Sequence, residues 1–96
     1  MQIEKCCQIL SDRLDFWIIQ RLLEVKHLRF SGFLKRNFKT STRTLTKRLK
    51  KLENCGVISR QAFAEAPPRV EYRLTQKGLA LRKVLLAMSE WSKKHA

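Results

Sequence analysis

Thr42-Arg43-Thr44-Leu45-Thr46-Lys47-Arg48-Leu49-Lys50-Lys51-Leu52-Glu53-Asn54, entered through Ser41 and left through Cys55 and Gly56, decides the fold of this chain. Leu45, Leu49 and Leu52 recur at helical spacing and form one apolar stripe. The opposite face holds Arg43, Lys47, Lys50 and Lys51, with Thr46 at its edge. Ser41 is the expected N-cap, because its hydroxyl accepts from an amide of the first turn. Gly56 suits the position just past the helix, where a left-handed residue closes the last turn. A helix over 42–54 is therefore predicted.

That helix carries two features that oppose its own stability. Its first turn has no Asp or Glu, and Arg43 sits near the positive end of the helix dipole. Each costs a few tenths of a kcal/mol to about 1 kcal/mol in isolation. A phosphate docked at the N-terminus would supply the missing anion. Local frustration that a ligand relieves is a functional signal beyond charge alone.

The charge around the helix points the same way. Between Val25 and Leu52 there are ten Lys and Arg and no Asp or Glu, out of a net +13 for the 96 residues. The eleven basic residues elsewhere are set against all eight acidic ones, so the excess is local. A solvated surface kept for solubility mixes the two signs, whereas a one-signed cluster is the footprint of a nucleic-acid-binding face. An anionic membrane surface is the competing partner for such charge.

Working outward, Ile3 to Leu10 reads as a short helix, and Ser11 and Asp12 end it or cap the next. Asp12 to Val25 is strongly helical, with Leu14, Trp17, Ile18 and Leu22 on one face. Lys26 to Arg29 reads as a polar connector. Phe30, Phe33, Leu34 and Phe38 predict a helix over 30–38, with Gly32 as its weak point. Beyond Gly56, the segment 57–63 is β-prone, and Val70, Tyr72 and Leu74 alternate with polar neighbours as in a half-buried strand. Pro67 and Pro68 donate no amide hydrogen, so the segment between the strands makes a stiff hairpin tip. Thr75 caps a final helix to about Lys93, whose apolar residues span too wide an arc for one face. One side meets the core and the other wants a partner.

The fold class expected is therefore mainly α with a β-hairpin wing: one winged helix-turn-helix domain over 1–96. Its helix-turn-helix lies at about 30–55, its wing at about 57–74 and its C-terminal helix at about 76–93. The second helix of such a unit enters the major groove, which is wide enough to hold it.

These residues also resemble a known family. Thr44 to Glu53, then Gly56-Val57-Ile58, and above all the run from Pro67 to Gly78 (PPRVEYRLTQKG) are similar to the HxlR-type winged-helix transcriptional regulators. Arg29-Phe30 resembles the family's R-F before the recognition helix, and the likeness runs from Cys6 to Trp91. The chain departs from the pattern where Leu10-Ser11-Asp12-Arg13-Leu14 replaces I-G-G-K-W, and where Thr42 replaces a frequent proline. The resemblance implies a homodimer whose terminal helices pack together, with Ile3, Leu10, Leu81, Leu85, Met88 and Trp91 at the interface. Many members sense oxidants through an N-terminal cysteine, but by the same register that position falls at Met1. Cys6 and Cys7 are redox candidates only if Lys5 or a helix end activates a thiol.

The residue roles follow from position. Ser41, Thr42, Arg43, Thr46, Lys47 and Lys50 face away from the leucine stripe. Arg43 and Lys47 are the candidates for base edges, since Arg or Lys to guanine is the commonest specific contact. For Lys47 and Lys50 the alternative is contact with phosphate alone. Arg69 is expected at the wing tip, reaching the minor groove or its phosphates, and Arg29, Lys35, Arg36 and Lys39 as flanking phosphate clamps. Trp17 and Trp91 read as core or interface anchors, and Glu71 as one half of a surface ion pair.

Three cysteines make no disulfide framework, and Cys6, Cys7, Cys55 and His27 have no zinc-site spacing. No cofactor or metal is expected. His27 and His95 are isolated and no phosphate loop exists, so no enzyme is expected either. No run reaches the eighteen or so apolar residues of a spanning helix, and no signal segment opens the sequence. A cytoplasmic, nucleoid-associated protein is the resulting expectation. The leading reading is a dimeric, sequence-specific binder of double-stranded DNA, its effector unspecified. Beside it stand an architectural chromosomal protein without sequence choice, a scaffold module that has lost DNA binding, and a binder of double-stranded RNA.

Overall fold

The computed structural model describes residues 1–34 and 40–96. Among them the order of elements is α1 (Glu4–Ile9), α2 (Arg13–Glu24), β1 (Leu28–Arg29), α3 (Phe30–Leu34), α4 (Thr42–Asn54), β2 (Ile58–Phe63), β3 (Arg69–Leu74), α5 (Gln76–Leu79) and α6 (Arg82–His95). The three strands form one antiparallel sheet in the order β1-β3-β2.

The start of α2 is fixed by a reciprocal cap. Asp12 Oδ1 accepts from Leu14 N at 2.9 Å, while Asp15 Oδ2 accepts from Asp12 N at 3.1 Å. The helix then buries Leu14, Ile18, Ile19 and Leu22. Against them lie the leucine stripe of α4, Phe33 of α3, Val57 and Ile58 at the root of β2, and Tyr72 of β3. Trp17 and Tyr72 meet Phe33 edge-on, with ring centroids 6.0 and 6.1 Å away. Offset and edge-on contacts suit the ring quadrupoles better than face-to-face stacking.

The hairpin has the expected place, with β2 and β3 antiparallel. Ile58 pairs with Leu74 at its base and Phe63 with Arg69 at its far end. Burial is greatest at Ile58 on β2 and at Glu71 and Tyr72 in the middle of β3, while residues 64–68 at the turn are all exposed, so the tip projects as a wing.

Three expectations need correction. The connector at 26–29 ends in a short strand, because Leu28 and Arg29 pair with Tyr72 and Glu71 on the free edge of β3. The final helix is two. Leu81 N bonds back to Gly78 O rather than to residue 77, so the chain tightens at Ala80–Leu81 before α6 begins. Leu10, expected at an interface with a second copy, is 7% exposed and belongs to the core of this chain. Of the helix expected over 30–38, Phe30–Leu34 is seen, and the remainder lies outside the described residues.

α6 buries none of its fourteen residues fully. Leu86, Met88 and Trp91 on it are exposed, Trp91 at 63%. Between α6 and α2 runs an open groove of about 400 Å³, walled by Phe16, Leu23, Leu85, Leu86 and Met88, with Glu24 and Arg82 also lining it.

Candidate nucleic-acid interface

The amino end of α4 is built as its sequence implies. Ser41 Oγ accepts from Thr44 N at 3.1 Å and donates to Thr44 Oγ1 at 2.9 Å. Thr46 Oγ1 donates to Thr42 O at 2.8 Å, which fixes the hydroxyl while leaving its lone pairs outward. The first turn holds no acidic residue. Its remaining amides and the dipole therefore present an anion site to solvent.

Arg43, Lys47 and Lys50 are all exposed, and among the described residues none of them is held in an ion pair. Ser41, Thr42 and Thr46 are exposed beside them. The structure thus brings six of the expected contact residues onto one face. Arg29 is also exposed, on β1 opposite Glu71. Lys35, Arg36 and Lys39 lie outside the described residues.

Among the described residues of the basic run, two turn inward. Lys51, placed by its helical angle on the outer face, reaches Asp15 Oδ2 at 2.9 Å, and Arg48 Nη1 lies 3.6 Å from the same oxygen. A long side chain covers more arc than its Cα direction suggests, and a buried carboxylate is a strong attractor. Asp15 is 0% exposed, so this charge is neutralised inside the fold.

The wing departs from expectation in a similar way. Arg69 lies over the Phe63 ring, 4.1 Å from its centroid, with Nε 3.4 Å from Glu71 Oε2 and 3.5 Å from Glu65 Oε2. Ring and carboxylates hold the guanidinium against the hairpin rather than free at its tip. Glu71 is 6% exposed and not a surface residue. Arg73 Nη2 donates to it at 3.2 Å, and His27 Nδ1 stands 3.5 Å away. Its burial and its two guanidinium neighbours, Arg69 and Arg73, make it a structural centre of the sheet.

Arg60 escaped the sequence reading. It is exposed on β2, in register with Tyr72, and with Thr46, Lys50 and Glu53 it lines a cleft of about 290 Å³ between α4 and the wing. The available signal was the strand register. Cross-strand partners share a face, so the residue opposite Tyr72 had to point toward α4.

Of the residues expected at an interface with a second copy, Ile3, Met88 and Trp91 are exposed and Leu81 and Leu85 half-buried. Cys6 is half-buried, Cys7 is exposed, and both are free thiols. No helix among the described residues is long and apolar enough to cross a membrane.

Comparison with known proteins agrees with this geometry. Residues 9–96 match the model of the HxlR-like helix-turn-helix family. The HTH-type regulator YdeP of Bacillus subtilis (strain 168), itself uncharacterized, is 36% identical over 93 residues, which cover 97% of this chain and 72% of that one. YvaP of the same organism, likewise uncharacterized, is 41% identical over 91 residues, covering 95% and 83%. A shorter match, 47% identical over 66 residues, is to an uncharacterized HTH-type regulator of Methanothermobacter thermautotrophicus, of which it spans 50%. Among solved structures, the reduced form of the B. subtilis transcriptional regulator YodB superposes with a TM-score of 0.88 at 32% identity, covering 98% of this chain and 91% of that one. The oxidized form of the redox regulator HypR gives 0.87 at 26% identity, covering 98% and 96%.

Proposed function

This chain belongs to the HxlR-like helix-turn-helix family, and on that premise we propose that it is a homodimeric, sequence-specific DNA-binding transcriptional regulator. α4 enters the major groove, and the wing lies on the adjacent minor groove or backbone. The observation that carries this reading is the free cationic face of Arg43, Lys47 and Lys50 beside an anion-seeking helix end. Arg43 and Lys47 read base edges. Lys50, Arg60 and Arg29 hold phosphate, and Ser41 and Thr42 do so through hydroxyls and helix-end amides.

The same reading assigns the exposed side of α6 and the α2–α6 groove to a second copy, with Ile3, Leu81, Leu85, Met88 and Trp91 as contacts. Two recognition helices related by a two-fold axis then meet successive major grooves about 34–36 Å apart. The exposed thiol of Cys7 is the more accessible of the two redox candidates. Nothing in the fold of this basic helix favours double-stranded RNA, whose deep, narrow major groove excludes it.

Hydroxyl-radical footprinting on a duplex selected by the protein tests the geometry. Two protected patches on one face of the duplex, one helical turn apart, are expected. A single patch, or uniform weak protection, would overturn the dimeric reading.

A further inference from the structure

The leucine stripe of α4 holds it against α2, but apolar packing is non-directional and leaves the helix free to roll by small angles. Hydrogen bonds are directional, and one group of them crosses this contact. Lys51 Nζ donates to Ile9 O at 3.0 Å, Ser11 Oγ at 2.6 Å and Asp15 Oδ2 at 2.9 Å. Asp15 Oδ2 also accepts from the amides of Ser11 and Asp12 at 3.2 and 3.1 Å and from Ser11 Oγ at 3.3 Å. Arg48 adds its guanidinium, 3.6 Å from Asp15 and 3.7 Å from Asp12 Oδ2. The end of α1, the α1–α2 turn and the start of α2 are thus tied to a single ammonium on α4.

An ammonium has three hydrogens to give. All three of those on Lys51 are engaged within the protein, so none is left for a phosphate. We propose that the knot formed by Lys51, Arg48 and Asp15 sets the roll of the recognition helix, and that Lys51 is a positioning residue that does not touch DNA. Lys47 and Lys50 stand within about one turn of Lys51, so a roll of α4 would swing both off their targets. Recognition tolerates errors of only about 10–20°. Ile9 is the last residue of α1, so that helix is held in the same register. The proposal rests on the DNA-binding reading above.

The test compares wild type with Lys51→Met, Lys51→Arg, Asp15→Asn and the Asp15→Asn/Lys51→Met double variant. Each is checked for native circular dichroism and melting. Each is then titrated, over a range of salt, with a duplex recovered from a random library by wild type and with a scrambled duplex. Lys51→Met should weaken binding of the selected duplex by about tenfold, the scale of substitutions that act without touching the ligand. Binding of the scrambled duplex and the slope of log affinity against log salt should be unchanged. Lys51→Arg should recover most of the loss. The double variant should be no worse than Lys51→Met, because the two residues act as one unit.

A salt slope shallower by about 0.9 in Lys51→Met would make Lys51 a phosphate contact and overturn the proposal. So would unchanged affinity for the selected duplex in the folded variant. If Lys51→Met does not fold, Asp15→Asn decides by the same readings, since it keeps the side-chain shape and removes the charge. Wild type that binds neither duplex would overturn the DNA reading itself, whereas wild-type binding that Lys51→Met leaves intact would overturn the knot alone.

Discussion

Gly78 presses against the backbone of Val57 so closely that a Cβ on residue 78 would overlap the Val57 carbonyl oxygen. The contact lies where the chain leaves α4 for the wing, and hydrogen bonds from Thr75 and Lys77 also tie the start of α5 to that exit. Thr75 N donates to Val57 O at 3.1 Å, Thr75 Oγ1 donates to Gly56 O, and Lys77 Nζ donates to Cys55 O at 2.7 Å. Lys77 thereby places a cation at the negative end of the α4 dipole. The recognition helix is fixed at its carboxyl end as well as through Lys51.

Gly78→Ala should therefore cost about 3 kcal/mol of stability, since the obstructing atom is backbone and cannot rotate away. Gly32 is the internal control. A Cβ there meets Leu28 Cδ2 at 2.9 Å, the tip of a side chain that can move. Gly32→Ala should lie within about 1 kcal/mol of wild type, helped by the better helix propensity of alanine. Urea denaturation of the two variants checks both values.

Ser41→Ala removes the side-chain acceptor of the Thr44 amide and should cost about 1 kcal/mol. The variant should also bind DNA more weakly, because a frayed first turn misplaces Thr42 and Arg43. Melting and duplex titration on the same samples separate the two effects.

Arg43→Ala and Lys50→Ala should differ in kind. Loss of a base contact costs about 1–3 kcal/mol and relaxes the preference at one position of the site. Loss of a phosphate contact weakens all sequences alike and makes the salt slope shallower by about 0.9. Arg43→Ala is expected to behave in the first way, Lys50→Ala and Arg60→Ala in the second. Titration of matched and singly substituted duplexes at several salt concentrations distinguishes them.

Trp91→Glu should leave the protomer folded, because the side chain is 63% exposed, and should shift the protein toward monomer by burying a charge in an apolar interface. Analytical ultracentrifugation reads the first consequence. Weaker operator binding, from loss of the second half-site, is the next.

Much of the fold was legible because its signals are local. The caps at Ser41 and Gly56, the leucine stripe and the alternation of Val70, Tyr72 and Leu74 each depend on neighbours within a few residues. What was missed depends on distant partners. Leu28–Arg29 is a strand only because β3 has a free edge beside it, and the break at Ala80–Leu81 follows Gly78, seated on Val57 more than twenty positions away. The interface shows the same division. Helical angle placed Arg43, Lys47 and Lys50 correctly on the exposed face. It misplaced Lys51, whose orientation is set by a carboxylate 36 positions earlier, and it expected a free Arg69 where Phe63, Glu65 and Glu71 hold the guanidinium.

The most direct test is selection of binding sites from a random duplex library by the purified protein at near-physiological salt. A two-fold-related motif whose half-sites are centred about 10–10.5 base pairs apart is predicted. Retention of DNA with no enriched motif, and with a steep salt dependence, would contradict sequence-specific regulation and reduce Arg43 and Lys47 to phosphate contacts.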